Sequence, residues 1–180
     1  VCAQALPNDR HKTIASHVMT GASHVTVNFD LCIEHCLPTW LHNRVVHLHG
    51  IYDSTTVDDL GARLSTIATG LSPIFTQKLT DLLMSARGLV FLGYSGSDYF
   101  DINPFFRSLA NRCINLAHLH VIWLKHADCP PLIQRLLPYL PGWPILKPLY
   151  DSGAAITYLE GDAGLFLQEL ARAWLLQPTV

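Results

Sequence analysis

The chain has 180 residues, 49% of them apolar and 14% charged, with a formal net charge of −2 at neutral pH. That length fits one ordinary domain over residues 1–180 that buries its own core, and that composition excludes a solvated, disordered tail. The twelve basic residues are scattered singly and give no electrostatic footprint for nucleic acid or an anionic membrane surface, while apolar runs such as residues 88–94 fall far short of the roughly 18 residues of a membrane-spanning helix.

Short β-rich runs alternate with stretches of helical period along the chain. A helix is expected over Arg10 to Met19, then a strand over His24 to Asn28, a helix over Phe29 to Leu37 and a strand over Arg44 to His49. The next helix, Pro73 to Ala86, repeats Ile74, Leu79, Leu82, Leu83 and Ala86 at helical spacing, with Ser72 at its cap. A strand over Gly88 to Leu92, a helix over Asn103 to Cys113 and a strand over His118 to Leu124 follow. Residues 130–148 hold six of the eleven prolines, so only a first helical stretch, Pro131 to Leu137, is expected there, with a wandering apolar loop after it. A strand over Ala154 to Leu159 and a helix over Gly161 to Leu175 complete the pattern, which is that of a mainly parallel α/β sheet flanked by helices.

Five cysteines, at positions 2, 32, 36, 113 and 129, are odd in number and irregular in spacing, which fits reduced thiols in a cytoplasmic protein. No secretory leader opens the sequence, and Val1 is read as lying downstream of further residues.

Three segments end a β-rich run on polar or glycine residues: HVTVNFD (24–30), RVVHLHG (44–50) and LVFLGYSGSD (89–98). Ligands of open parallel sheets bind beyond the carboxyl ends of strands, so three such endings on one edge would share a crevice. In the last segment Gly93, Tyr94, Ser95, Gly96, Ser97 and Asp98 make a turn whose backbone N–H groups can face a phosphate, or that only turns the chain with Ser97 or Asp98 as a helix cap. Asn28 offers a donor and an acceptor at its strand end, and Asp30 lies beside it; the alternative is an Asx-type cap. His49 has His47 on the same strand face and Gly50 after it, and an imidazole can take a proton at neutral pH. Cys32, His35 and Cys36 invite a zinc reading, but no second cysteine pair accompanies them, and no metal is expected. His118 and His120 share a strand face, where packing or a surface role is expected. No nucleophile elbow and no P-loop is present.

Taken in order, TVNFDLCIEH (26–35), HLHG (47–50), FLGYSGSDYFDINPFF (91–106), HVIWL (120–124) and GDAGLFLQEL (161–170) resemble the Sir2-like domains of prokaryotic proteins, from about residue 20 onward. The resemblance implies a Rossmann-like core of the sirtuin or DHS type that binds NAD. On it, Asn28 and His49 match the active-site asparagine and histidine and Asp30 the acidic residue of the N-x-D motif. The turn Gly93, Tyr94, Ser95, Gly96 to Asp98 matches the loop lining the dinucleotide pocket, and Gly161 and Asp162 the late loop near the adenine end. Two departures stand out. No cysteine occurs between Gly50 and Gly93, so the zinc module of the deacylases is missing, and the chain is most similar to NAD-cleaving effectors of antiviral defence, which act as oligomers or with a sensor domain. The family's opening G-A-G-x-S turn has no counterpart upstream of Arg10, so the expected fold is incomplete at its amino-terminal side. The resemblance implies hydrolysis of NAD to nicotinamide and ADP-ribose, with a non-catalytic nucleotide sensor or an oligomerisation module as the alternatives.

Overall fold

The alternation of strands and helices is present, but its strands are shared between two sheets rather than joined in one. The computed structural model describes residues 5–49, 51, 70–96, 102–134, 140 and 142–175. They divide between two compact units, one of residues 1–65 with 167–180, the other of residues 66–166.

In the first unit helix α1, Asp9–Met19, starts at Asn8, whose side chain accepts the His11 N–H while the Asn8 N–H donates to His11 Nδ1. This reciprocal cap satisfies two of the donors that a helix start leaves open. Ala15 and Val18 then reach a small core made with Ile33, Leu37, Leu41 and Val45. Strands β1, His24–Thr26, and β2, Val45–His47, pair in parallel, with Thr26 opposite His47. The helix expected over residues 29–37 does not form; the connection holds two 3₁₀ turns, Glu34–Cys36 and Thr39–Arg44. The cause is local. The Asp30 carboxylate accepts the Cys32 N–H at 3.1 Å, which favours an Asx turn over a helical start, and Pro38 separates the two turns.

In the second unit α2, Pro73–Ser85, starts as expected, with Ser72 Oγ accepting the Phe75 N–H and Pro73 in the first turn, and it buries Leu79 and Leu83. Strands β3, Gly88–Leu92, β4, His120–His126, and β6, Ala155–Gly161, run parallel, and β5, Leu132–Gln134, closes the order β3-β4-β6-β5 antiparallel to β6. The central strands bury Val121, Trp123, Leu124 and Tyr158. Helix α3, Ile102–Asn111, packs on α4, Trp143–Asp151, and α5, Ala163–Leu175, begins after β6 and continues past residue 166.

The proline-rich stretch is the clearest correction. Residues 132–134 are strand rather than helix, and residues 143–151 are helix rather than loop; the remainder of the expected Pro131 to Leu137 helix lies outside the described residues. Pro130 and Pro131 precede an edge strand, where missing donors are tolerated. Pro144 occupies the first turn of α4, where its N–H is not needed, but Pro148 is internal and costs about 3 kcal/mol. Ile145, Leu146 and Leu149 are fully buried by the same helix, each contributing about 1.5–3 kcal/mol, so burial outweighs the proline.

Gly142 heads α4 at φ 80°, and a Cβ there would fall 2.4–2.6 Å from the Trp123 ring. Gly142→Ala is expected to destabilise the chain by about 1–3 kcal/mol in denaturant unfolding. Gly88→Ala, where an added Cβ meets nothing within 4 Å, should stay within about 0.5 kcal/mol of the parent.

Candidate functional site

Because β1 and β2 are parallel neighbours, their carboxyl ends lie side by side, and the Leu48 N–H continues the pairing by donating to Thr26 O at 3.0 Å. Asn28 therefore follows β1 where His49 follows β2. The Phe29 and His49 rings are 6.1 Å apart between centroids, which brings the Asn28 to Asp30 segment and the imidazole of His49 to one place. Asn28 is exposed and His49 half-buried. The Asn28 N–H donates to Thr26 Oγ1, and Asp30 is drawn into its own turn through Cys32. Gly50 lies outside the described residues.

The residue that organises this end of the sheet is one the sequence placed only in the background. His47 is buried, with 5% of its side chain exposed, and its ring bridges two oxygens: Nδ1 donates to Asn28 O at 2.9 Å and Nε2 meets Glu34 Oε1 at 2.5 Å. Burial opposes charge on both partners, yet the hydrogen bonds outweigh it, holding the Glu34 carboxyl below its ordinary range and the His47 imidazole above. Both shifts favour the imidazolium and carboxylate form of the pair. Burial has the opposite outcome for His24, at the start of β1, whose pKa falls to about 4. Alternation along β2 puts His47 and His49 on one face, but nothing in the sequence spacing ties either to Glu34, which the Asx turn and the first 3₁₀ turn deliver.

The Gly93 to Gly96 turn belongs to the second unit. Gly93 takes φ 63° in open space and Gly96 φ 76°. A Cβ on Gly96 would lie 3.0 Å from Gly142 Cα, so close backbone packing accounts for this glycine, and buried Asn103 donates to Gly96 O at 3.0 Å. The Tyr94 ring packs against Phe91 and Trp123, and Ser95 is exposed. Ser97 and Asp98 lie outside the described residues. At the far end of β6 a Cβ on Gly161 would lie 2.4 Å from Pro131 Cα, and Asp162 caps α5 by accepting the Leu165 N–H at 2.9 Å.

The cysteine and histidine residues sort by packing. Cys32 is buried, and burial with the neighbouring Asp30 carboxylate pushes its thiol up to about 11, so it is a protonated thiol rather than a nucleophile. Its potential ligand group is His11 and Asp30, and the set with His35 and Cys36 is not among the clusters of the described residues. His11 Nδ1 already accepts the Asn8 N–H, so in the neutral ring Nε2 carries the proton and neither nitrogen presents a lone pair to a metal while the cap stands. His126, Asp128 and Asp162 cluster beyond β4 and β6, where Asp128 is fully exposed and Asp162 is committed to its cap. His118 hydrogen-bonds Leu83 O and His120 Thr157 Oγ1. No helix among the described residues is long and apolar enough to cross a membrane.

Comparison with protein families, characterised proteins and solved structures finds no match to this chain.

The titrating groups of β1, β2 and their connection give a stability profile with a definite sign. His47, raised above 6.5, stabilises fully below that pH and loses its contribution as pH climbs through its folded value. Glu34 and Asp30, lowered from 4.5 and 3.8, lose theirs as pH falls through their folded values, and His24 loses its own as pH falls from 6.5 to about 4. Denaturant unfolding followed by a probe in the first unit should show greatest stability near pH 6.5 and a decline on both sides. Glu34→Gln should flatten the alkaline decline.

Proposed function

We propose that the chain is a Sir2-like domain that binds NAD and hydrolyses its N-glycosidic bond, releasing nicotinamide and ADP-ribose. The observation carrying this reading is that Asn28 and His49 follow the adjacent carboxyl ends of two parallel strands, with the Phe29 and His49 rings 6.1 Å apart. That placement suits the chemistry. Cleavage passes through an oxocarbenium-like state, and it needs an amide to orient the carboxamide or a water, and a base to take a proton from that water or a ribose hydroxyl. Asn28 supplies the first and the half-exposed His49 the second, with Asp30 shaping the turn between them. The finer assignments follow from the resemblance: a sirtuin-type NAD fold, a cytoplasmic setting, and work as a homo-oligomer or beside a sensor in antiviral defence.

A second reading is favoured by the packing at Gly96, which explains that glycine without a phosphate. On it the chain is a structural or nucleotide-sensing module that assembles without turnover.

Calorimetry with NAD and a nicotinamide-release assay separate these readings. Saturable heat with nicotinamide release supports the hydrolase, heat alone a sensor, and neither a structural module. In the hydrolase, His49→Ala should fold as the parent does and lower nicotinamide release by about 10²- to 10⁴-fold, the usual worth of a general base. Equal turnover in the two proteins would end the assignment of His49.

A further inference from the structure

Glu34 is a costly residue in the core of a small unit. Its side chain is 7% exposed, one oxygen faces His47, and the other, Oε2, is buried without a hydrogen-bond partner among the described residues. An ion pair buried in this way gives up the hydration of both ions, and apolar side chains of like size are often as stable or more so. Packing alone therefore gives no reason for a carboxylate here. Its effect on the imidazole does.

The Asn28 carbonyl can only accept, so Nδ1 must carry a hydrogen for the 2.9 Å contact to bind. A neutral ring beside the Glu34 carboxylate would keep its one proton on Nε2, turning the Nδ1 lone pair against the Asn28 oxygen. A ring protonated at both nitrogens satisfies both oxygens at once. While Glu34 is a carboxylate, the grip on Asn28 thus belongs to the doubly protonated ring. The other titratable groups facing the pair are His24 on β1, whose lowered pKa keeps it neutral, Asp30 and Cys32 in the Asx turn and His42 in the second 3₁₀ turn, which lies toward Glu34.

We infer that Glu34 and His47 are a positioning pair for the Asn28 and His49 site: Glu34 fixes the buried His47 ring, and the ring's Nδ1–H holds the Asn28 carbonyl, and with it the backbone that carries the Asn28 amide beyond β1. The inference rests on the reading of Asn28 and His49 as the NAD-cleaving residues. Neither His47 nor Glu34 touches substrate. Their contribution is to keep the Asn28 amide from drifting, and a displacement of about 1 Å in such a group can cost about 10²-fold in rate.

Two substitutions divide the ring's contacts. His47→Gln keeps a group near the Nε2 position and loses the donor to Asn28; His47→Asn keeps a donor near the Nδ1 position and loses the contact with Glu34. Nicotinamide release in His47→Gln is expected to fall about 10²-fold in kcat, with KM within about 3-fold, and His47→Asn should recover to within about 10-fold of the parent. Equal kcat in the two variants, or parent-like kcat in His47→Gln, overturns the pair's role. Nuclear magnetic resonance of the whole chain gives a readout that needs no turnover. The Phe29 amide, which shares its peptide unit with the Asn28 carbonyl, should titrate together with the doubly protonated His47 ring, and Glu34→Gln should abolish that joint transition. A His47 ring that is singly protonated at pH 6, or a Phe29 amide indifferent to it, defeats the inference even if a variant fails to fold. Should the parent release no nicotinamide while Phe29 and His47 still titrate together, the hydrolase reading fails and the grip on Asn28 stands.

Discussion

A carboxylate and an imidazole buried together govern everything at the end of β1. Residues 27–33, which follow β1, lie in neither helix nor strand, and the two strands themselves span three residues each. So slight a sheet has few ladder hydrogen bonds with which to hold its tips. The His47 ring supplies what the ladder lacks, a bond from β2 to the carbonyl of Asn28, two residues past the last paired position of β1. Desolvating two charges is expensive, and the expense falls where the ring holds the Asn28 carbonyl. Buried ionic networks with one unsatisfied atom are uncommon in cores that serve only as packing.

The second unit reaches order by a different route, through shape rather than charge. Trp123 lies at the centre of β4 with Phe91 and Tyr94 against it, and Gly96 and Gly142 bring two backbones together beside the same indole. Interiors are packed as tightly as organic crystals, so two glycines that meet over an aromatic face leave neither position free to change. The turn after β3 is therefore firm before any ligand is considered. Asn103, buried on α3, completes it from the other side by binding the Gly96 carbonyl.

Much of this was legible in the sequence, where the signal was local and periodic. The helix over residues 73–85 was visible from Ser72, Pro73 and the apolar spacing, and five of the strands, all but β5, from short β-rich runs. The sequence also placed Asn28 and His49 at strand ends, which parallel pairing turns into neighbours. Two elements were hidden because the deciding interactions are tertiary. A proline at position 148 reads as a helix breaker until three fully buried aliphatic side chains are set against it, and the apolar run Cys32, Ile33, Cys36, Leu37 reads as a helix until Asp30 is seen to take the Cys32 N–H. Glu34 was invisible as a partner of His47. Thirteen positions separate them, and only a folded connection makes them adjacent.

The strand β5 has a consequence of its own. It ends the sheet with three residues, and Leu132 and Ile133 are 58% and 78% exposed. A sticky margin of that kind invites a foreign chain to add itself, rung by rung, which is how fibrous precipitates begin. Two successive prolines stand immediately before it and offer no donors, so such growth finds no rungs on that side.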